Sequence, residues 1–504
     1  MNNLKYGLKP VAGLVFCLFC LTYGYAKVDD ASWKEMEATF KKNITSKNAP
    51  DRILALNTIA SADRKEAVVL IIDALGKACD KIQGLLRDKE KILESGKDKV
   101  IDSKISEKAA ELIPQIEAEE SVKSAAIETL KKVTDIEAIS ILLDSMVKTS
   151  NTNTKLALLE VAARKSSDPA NEALLKLLND SSDAIKISAA TSLGENKYMP
   201  AVPKLIALLS EKTWQVKYTA AEALGFMGSL DAVGPLVDAL QKESGRVKDE
   251  IVSALGLLTK NNFGDNPPLW KDWYEKNKAD LQTAINRNDA PKNTPLVKEA
   301  KTTYYGLNVT AKRPIFLIDI SMSMSFLITD SEAGKMPPGA DGSALAANAK
   351  LNIAKQELMK VINSLADDVR FNIISYSDNV ERWDKDLAPA NSKMKKSAAD
   401  YIDKLKLKGK TNIYDALEMA FNMAGVGAAD KNYALGVDAI YFLTDGKPTL
   451  GQIQDTNKIL EKVREWNKLS KIAIFTIALG QDTEEAFLKK LAEDNGGTFV
   501  SKKN

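Results

Sequence analysis

A repeat in the first half of the chain restricts its fold more than any other feature. The segments AIKISAATSLG, QVKYTAAEALG and RVKDEIVSALG place equivalent leucines 31 positions apart, at Leu193, Leu224 and Leu255. A second apolar segment follows each first one, with matching positions 31 or 32 apart at Leu143, Leu175, Ile206 and Val237. Apolar residues at i, i+3 and i+4 within these segments indicate two amphipathic helices in each unit.

One such unit cannot bury its own apolar face, so neighbouring units must stack into an α-solenoid. The pattern over residues 120–260 resembles HEAT-like repeats at the short end of their range, and residues 52–76 look like an earlier unit. Each of the three aligned leucines is followed by a glycine, namely Gly194, Gly225 and Gly256. Glycine is frequent just after a helix, so we expect the first helix of each unit to end there.

Two further segments belong to the predicted repeat domain, residues 27–283. Residues 77–120 are rich in Lys, Glu and Asp and predict a charged helical insertion. A charged helix is more often solvated than docked on another part of a protein, so we expect a solvated helix. After the last repeat, Trp270, Trp273 and Tyr274 are spaced to share one helix face, which suits a terminal cap. Residues 284–311 lack periodicity and predict a linker.

Strands and helices alternate in the second half of the chain. Continuous apolar runs predict strands at residues 315–320, 369–377, 437–445, 471–480 and 498–501. Helical segments are predicted between or after them at residues 346–366, 392–405, 412–425, 453–468 and 484–494. Repeated βα units predict an α/β domain at residues 312–504, with a doubly wound, mostly parallel, Rossmann-like sheet.

Polar residues follow two of these strands at the edge where such sheets bind ligands. The five candidates are Asp319, Ser321, Ser323, Thr411 and Asp445. Two carboxylates and three hydroxyls offer only oxygen, which suits Mg²⁺ first and Mn²⁺ or Ca²⁺ next. If the loop stays extended, alternation along DISMS turns both serines to the side of Asp319. Taken singly, Asp445 suits a turn and Thr411 a helix cap.

Three segments carry a more specific resemblance: FLIDISMS, GKTNIYDAL and IYFLTDGKPT. Together they resemble the metal-ion-dependent adhesion site of a von Willebrand factor type A (VWA) domain, over roughly residues 312–504. The resemblance implies that Ser321 and Ser323 coordinate a metal ion directly. It implies that Asp319, Thr411 and Asp445 coordinate directly or through water. A sixth position is left open, and in this family a carboxylate from a protein partner commonly fills it.

The sequence departs from the family at one position of the first segment. Many relatives have glycine between the two serines, where this chain has Met322. Either the backbone there is not left-handed, or the site is slightly reshaped. Ser325 falls outside the pattern and is interpreted as part of the loop. The glycine- and proline-containing segment 326–350 follows, and is expected either to lie beside the metal and shape partner choice or to be a loose insertion.

The first 26 residues have the pattern of a secretory signal peptide. Lys5 and Lys9 precede or flank an apolar run at residues 11–21, and small residues lead to a predicted cleavage after Ala26. The run is short for a membrane span, so an uncleaved anchor is the lesser alternative. We therefore expect an exported protein, periplasmic or extracellular, with membrane contact only if the signal is retained.

Composition excludes several functions. Removing the signal leaves 68 basic residues, because it takes two lysines from 70, against 68 acidic ones. A balanced charge argues against nucleic-acid binding, and the one remaining cysteine, Cys79, excludes an intrachain disulfide. The chain has no histidine, which excludes His-based catalysis and His-ligated zinc.

Three functions remain. We favour a metal-dependent binding protein in which the repeats act as scaffold and a protein partner offers a carboxylate to the ion. The alternative is a metal-dependent hydrolase that uses bound water, although Lys447 and Asp415 are poor candidates for its base. The third is a structural scaffold with an inert VWA domain. Binding without catalysis is the interpretation that the missing general base supports best.

Overall fold

The computed structural model describes residues 28–95, 100–283, 302–329, 345–424 and 436–503. The predicted signal peptide, most of the predicted linker and much of the 326–350 segment lie outside these ranges. None of the helices in the described ranges is long and apolar enough to cross a membrane.

The first half forms stacked helices, as the repeat predicts. In chain order they are α1 (Asp30–Asn43), α2 (Ala49–Ala60), α3 (Lys65–Glu94), α4 (Ser103–Ala110), α5 (Ile113–Lys131), α6 (Ile136–Lys148), α7 (Thr152–Lys165), α8 (Asp168–Leu177), α9 (Asp183–Glu195), α10 (Val202–Leu208), α11 (Trp214–Met227), α12 (Val233–Leu240), α13 (Gly245–Thr259) and α14 (Pro267–Asn277). Short 3-10 helices at Met199–Ala201 and Leu230–Ala232 precede α10 and α12. The three aligned leucines are fully buried in one continuous apolar core, as predicted, because stacking is the only way to cover each unit's apolar face.

The aligned glycines have a different role from the predicted one. Gly194, Gly225 and Gly256 lie inside α9, α11 and α13 rather than after them. A Cβ at Gly194 would come within 2.8 Å of the Ala223 Cβ, and one at Gly225 within 3.1 Å of the Ala254 Cα. The helices end one to three residues beyond these glycines, at Glu195, Met227 and Thr259, and not at them. At Gly194 and Gly225 the missing side chain instead lets the first helices of successive units approach closely.

The end of the solenoid is closed by α14. Trp270 and Trp273 of this helix are buried against Phe263, with ring centroids 4.7 Å apart for Phe263 and Trp270. The indole nitrogen of Trp270 donates to the Gly264 carbonyl at 2.9 Å. These contacts give the tryptophans a structural role in covering the last repeat, as a terminal cap requires.

The second half is an α/β domain with a mostly parallel sheet. Its strands are β2 (Thr303–Tyr304), β3 (Leu307–Asn308), β4 (Pro314–Asp319), β5 (Arg370–Tyr376), β6 (Val380–Arg382), β7 (Ala388–Pro389), β8 (Ala439–Thr444), β9 (Ala473–Leu479) and β10 (Phe499–Lys502). Its helices are α15 (Lys350–Ser364), α16 (Ser392–Lys404), α17 (Ile413–Ala424), α18 (Thr456–Ser470) and α19 (Glu485–Glu493). An α-solenoid followed by a doubly wound sheet confirms the predicted fold class.

One further strand, β1 (Val100–Ile101), comes from the helical half of the chain. The sheet runs in the order β1-β6-β5-β4-β8-β9-β10. Strands β5, β4, β8, β9 and β10 are parallel, whereas β6 and β7 pair antiparallel with β5 and β1 pairs antiparallel with β6. A separate short hairpin joins β2 to β3. The antiparallel strands have only two or three residues each, too few for the sequence pattern to reveal.

Strand β4 lies at the centre of this sheet, and all six of its residues are buried. Ile315 and Leu317 pack into the core under α17, α18 and α19, while Phe316 and Ile318 pack into the core under α15 and α16. Each fully buried side chain of this size contributes about 2 kcal/mol of transfer free energy, so the register of this strand is strongly fixed. The fixed register of β4 therefore also fixes the position of its last residue, Asp319, at the carboxyl edge of the sheet.

The charged insertion docks on the α/β domain, which makes the expectation of a solvated helix wrong. Helix α3 begins in the solenoid core and ends with Leu93 in the core of the α/β domain. Ile101 and Ala109 enter the same core, and β1 extends the sheet beside β6. We call the described residues 89–95 and 100–110 the arm. Its few apolar residues are separated by charges, but the fold gathers them on one face.

Candidate metal centre

The two predicted acids meet at the carboxyl edge of the sheet. Asp319 ends β4 and Asp445 follows β8, and these strands are parallel neighbours. Both carboxylates are fully buried. Asp319 accepts hydrogen bonds from the Ser321 amide at 2.8 Å and from the Thr444 hydroxyl at 2.7 Å. The strand register therefore brings together two acids that are 126 positions apart in the sequence.

The two predicted serines join this pair. The Ser321 and Ser323 hydroxyl oxygens are 3.0 Å apart, and Ser323 donates to Asp445 Oδ1 at 2.8 Å. The expectation of an extended loop is wrong, because residues Met322–Ser325 form a 3-10 helix. This turn still places both hydroxyls beside the acids. Its tight backbone, rather than strand-like alternation, directs them.

Met322 and Ser325 have the roles of loop residues. Met322 lies within the 3-10 helix and is absent from the positive-φ residues, so no left-handed backbone is needed there. Its amide donates to the Gly409 carbonyl at 3.1 Å, and the Ser325 hydroxyl donates to the Met322 carbonyl at 2.8 Å. The methionine that departs from the family pattern thus fits the loop without backbone strain.

Thr411 approaches the other residues across Gly446. A Cβ on Gly446 would lie 3.7 Å from both the Ser323 Oγ and the Thr411 Oγ1, so the missing side chain leaves the space between these hydroxyls open. Thr411 is held by its backbone, which donates to the Thr449 hydroxyl at 3.0 Å and accepts from the Thr449 amide at 2.9 Å. All five predicted residues therefore surround one small polar space.

Burial and mutual repulsion raise the pKa values of the two acids. The pKa of Asp445 is raised to about 7, first because the carboxylate is buried and second because Asp319 is close. Burial likewise raises the pKa of Asp319 above its ordinary range, although hydrogen bonds from Ser321 and Thr444 act in the opposite direction. Two buried acids in contact favour their neutral forms unless a cation compensates them.

One such cation is Lys350, which the sequence analysis did not single out. Its ammonium lies 3.1 Å from Asp445 Oδ2, and both side chains are fully buried. Gly480, with φ of +95°, makes room, because a Cβ there would come within 2.6 Å of the lysine Cε. Lys350 is the first residue of α15, an unfavourable place for a cation. A lysine near the start of a predicted helix is therefore the sequence feature that could have identified this residue.

Asp415, which the sequence marks only as a poor candidate base, also lies close to the site. Fully buried at the start of α17, it accepts from the Ser106 hydroxyl of the arm at 2.5 Å and from Asn412 Nδ2 at 2.8 Å. The Gln452 amide and side chain also donate to it, at 3.2 and 3.1 Å. Burial first, and Glu418 second, raise its pKa. Its bonds thus engage Asn412, the neighbour of Thr411, together with Gln452 and Ser106, and do not point into the polar space.

The donor set fits a hard divalent cation. Carboxylate and hydroxyl oxygens are the ligands of Mg²⁺ and related ions, and no nitrogen or sulfur ligand belongs to the set. Within the described ranges, no group of three or more His, Cys, Asp or Glu side chains has the arrangement of a metal site. A site here must therefore rely on its hydroxyls, as the resemblance implies.

Comparisons with known families agree with both halves of the fold. Residues 315–504 match the family model of the von Willebrand factor type A domain, and residues 171–256 match that of HEAT repeats. The predicted domain composition is thereby confirmed: the chain contains HEAT repeats followed by a VWA domain.

Among curated proteins, the chain is similar to inter-alpha-trypsin inhibitor heavy chains. It is 30% identical to human heavy chain H4 over 193 residues, which cover 38% of this chain and 18% of that protein. It is 31% identical to heavy chain H2 of Sus scrofa over 153 residues, covering 29% and 16%. The matches thus span less than a fifth of the length of these relatives.

Among solved structures, one similar chain is a von Willebrand factor type A protein from Catenulispora acidiphila. It has 19% identity and a TM-score of 0.30, covering 39% of this chain and 40% of that one. Another is proximal thread matrix protein 1 from the mussel byssus, described with a zinc-occupied adhesion-site motif, with 19% identity and a TM-score of 0.26 over 38% and 41%. Human deoxyhypusine hydroxylase, described in complex with glycerol, matches 45% of this chain and 96% of its own at 15% identity and a TM-score of 0.24.

Proposed function

We propose that this chain is an exported, metal-dependent protein-binding protein of the adhesion type. A divalent ion, Mg²⁺ first and Mn²⁺ or Ca²⁺ next, is held by Asp319, Ser321, Ser323, Thr411 and Asp445. The ion binds a carboxylate of a protein partner, and the HEAT repeats serve as scaffold. The observation that carries this proposal is the convergence of two buried acids and three hydroxyls on one polar space at the edge of the sheet.

Charge balance explains why the ion would favour an anionic partner. The two carboxylates and the Lys350 ammonium together carry a net charge of about minus one when the acids are ionised. A bound divalent ion changes this net charge to about plus one in a buried setting, where water screens it poorly. An added carboxylate then neutralises the site, so the partner's own acid completes the charge balance.

Exposed lysines beside the site favour a partner that is acidic around this carboxylate. Lys406, Lys408 and Lys410 are exposed on the segment before Thr411, and none forms an ion pair with another described residue. The backbone of this segment is anchored at the site, since the Lys408 amide donates to the Ile320 carbonyl at 2.8 Å and the Lys410 amide to Asp378 at 2.6 Å. Such a positive rim would speed the approach of an acidic surface.

The same geometry speaks against hydrolysis. Lys447 is paired with Glu484 at 2.7 Å, and Asp415 is engaged by Ser106, Asn412 and Gln452. Neither of these candidate bases is directed at the polar space, so among the described residues neither is placed to activate a bound water. We therefore assign the site to binding and name no catalytic residue.

The test is capture of a partner with the full chain as bait. Wild-type protein, Asp319→Ala and the control Asp367→Ala are immobilised and exposed to an extract with Mg²⁺ or with EDTA. Asp367 is exposed near the opposite end of β5, so its loss matches the change in charge without touching the site. We expect one protein to bind wild type and the control in Mg²⁺ only. Capture that persists in EDTA or with Asp319→Ala would contradict the proposal.

A further inference from the structure

The arm reaches the α/β domain beside the helix that follows Thr411. Its strand β1 pairs with β6, with Val100 opposite Glu381 and Ile101 opposite Val380. Leu93, Ile101 and Ala109 are buried in the core shared with α17. These contacts tie a segment from the helical half of the chain to the framework of the candidate metal centre.

Two buried polar contacts join the arm to α17 itself. Lys89 forms an ion pair with Glu418 at 2.5 Å, and its ammonium lies 5.5 Å from the centre of the Tyr414 ring. One turn away, the Ser106 hydroxyl donates to the fully buried Asp415. Buried polar contacts fix geometry strongly, because a partner left unpaired in a dry setting is costly.

From Asp415 the contacts continue to Thr411 by two routes. Asn412, the neighbour of Thr411, donates from its side chain to the same carboxylate oxygen as Ser106 and accepts from the Asp415 amide at 3.2 Å. Gln452 donates to the other oxygen, and its loop also contains Thr449, which exchanges two hydrogen bonds with Thr411. Gly451 allows this loop to lie against Asn412, since a Cβ there would be 2.1 Å from the Asn412 oxygen.

We propose that Ser106 is a positioning residue of the metal site: by orienting Asp415, it sets the position of Thr411. This inference rests on the proposed function, because it presumes that Thr411 contributes to an ion. Groups bonded directly to metal ligands are commonly worth about 10–100-fold in metal affinity, and Ser106 acts through Asp415, so we expect an effect at the lower end of this range. Ser106 comes from the arm, so the helical half of the chain contributes a side chain to the organisation of the site in the other half.

Thermodynamic linkage makes the relation reciprocal. If a docked arm strengthens the binding of the ion, the ion must strengthen the docking of the arm by the same factor. The arm is therefore expected to open less often when Mg²⁺ is bound. This consequence can be measured in the unmodified chain, without any substitution in the arm.

The first experiment compares Mg²⁺ affinity, by calorimetric titration of the full chain, in Ser106→Ala and Ser103→Ala. Ser103 lies on the same helix and makes no side-chain hydrogen bond with a described residue, so the control removes an equivalent hydroxyl. We expect about tenfold weaker binding for Ser106→Ala and unchanged binding for Ser103→Ala. If Ser106→Ala binds as tightly as wild type, the inference is overturned while the proposed function stands.

The second experiment keeps the question answerable if Ser106→Ala fails to fold. Hydrogen exchange of residues 100–110 is measured in the wild-type chain with and without Mg²⁺, and again in Asp319→Ala. We expect Mg²⁺ to slow exchange in this segment in wild type and to leave Asp319→Ala unchanged. Bound Mg²⁺ without any slowing overturns the inference alone. A wild-type chain that binds no Mg²⁺, Mn²⁺ or Ca²⁺ overturns the proposed function and this inference with it.

Discussion

The residues of the candidate site differ in how well the sequence predicts them. The five oxygen donors follow strand ends and a helix start, so their spacing predicted that they would meet. The sequence did not predict the role of Lys350, because a segment without regular periodicity separates it from β4. Its contact with Asp445 arises only in the folded chain. A fully buried lysine next to two acids changes the charge that an entering ion meets, and this has a measurable consequence.

Replacing Lys350 with methionine should alter stability and metal binding in opposite directions. Without metal, the variant loses the partner of a buried carboxylate and should be less stable, by about 3–5 kcal/mol. The variant site also lacks a competing positive charge, so at about pH 8 it should bind Mg²⁺ at least about tenfold more tightly. Thermal melting and Mg²⁺ titration measure the two effects.

Lys360→Met is the matched control, since Lys360 lies on the same helix and is largely exposed. Both quantities should stay near their wild-type values in this variant. Weaker Mg²⁺ binding by Lys350→Met would show that the lysine supports the ion instead of competing with it.

The raised pKa of Asp445 predicts how the stability of the metal-free protein depends on pH. The pKa is about 7 in the folded chain, above its ordinary value of 3.8, so the folded state binds more protons than the unfolded state between these values. The free energy of unfolding of the metal-free protein therefore falls as pH rises from about 4 to about 7. Asp445→Asn has no carboxyl to titrate at this position. In EDTA, the melting temperature of this variant should therefore rise relative to that of wild type as pH increases from about 4 to about 7. A difference that does not change with pH would contradict the assignment.

At the scale of elements, the sequence predicted whole helices and parallel strands well. Long apolar runs such as β4 and β8 are unambiguous, because burial on both faces leaves a continuous signal. Short elements with few side chains per face, such as β1 and β6, leave no such signal. The aligned glycines show a different difficulty: a glycine that permits close packing and one that ends a helix look alike in sequence.

Close packing at Gly194 predicts a loss of stability on adding a single methyl group. Gly194→Ala places its Cβ 2.8 Å from the Ala223 Cβ and 2.9 Å from the Ala223 Cα, so the backbones of α9 and α11 must separate. We expect a destabilisation of about 1–3 kcal/mol, measured by denaturant unfolding.

Gly84→Ala is a control with the opposite expected sign. Gly84 lies inside α3, and a Cβ there meets nothing within 4 Å. Because alanine favours a helix over glycine, this variant should be more stable by up to about 1 kcal/mol. Equal and small effects at both glycines would refute the packing explanation.

At the scale of the whole molecule, the two halves of the chain are joined along several contacts. Ion pairs link them at Lys462 with Glu120 (2.8 Å) and Lys471 with Glu222 (3.2 Å), while the arm inserts into the α/β core. Partly exposed ion pairs contribute little, so the buried contacts of the arm carry most of the coupling. The sequence did not predict this junction, because charged residues separate the apolar residues of the arm. Such a pattern is typical of a solvated helix.

Breaking the buried pair of the arm should loosen this junction. Lys89→Met leaves Glu418 buried without its cation and should cost about 3–5 kcal/mol, whereas Lys91→Met, at a largely exposed lysine, should cost little. The double variant Lys89→Met/Glu418→Met should recover most of the loss. Calorimetric unfolding measures all three. No recovery in the double variant would mean that the two residues act independently.

The central claim concerns one divalent ion, and a direct titration tests it most simply. Metal-free protein is titrated calorimetrically with Mg²⁺ at about pH 8, above the raised pKa of Asp445, which is about 7. The account predicts saturable binding of one ion per chain in wild type and in Asp367→Ala, and no binding in Asp319→Ala. Absence of saturable binding in wild type at millimolar Mg²⁺, or unchanged binding in Asp319→Ala, would contradict it.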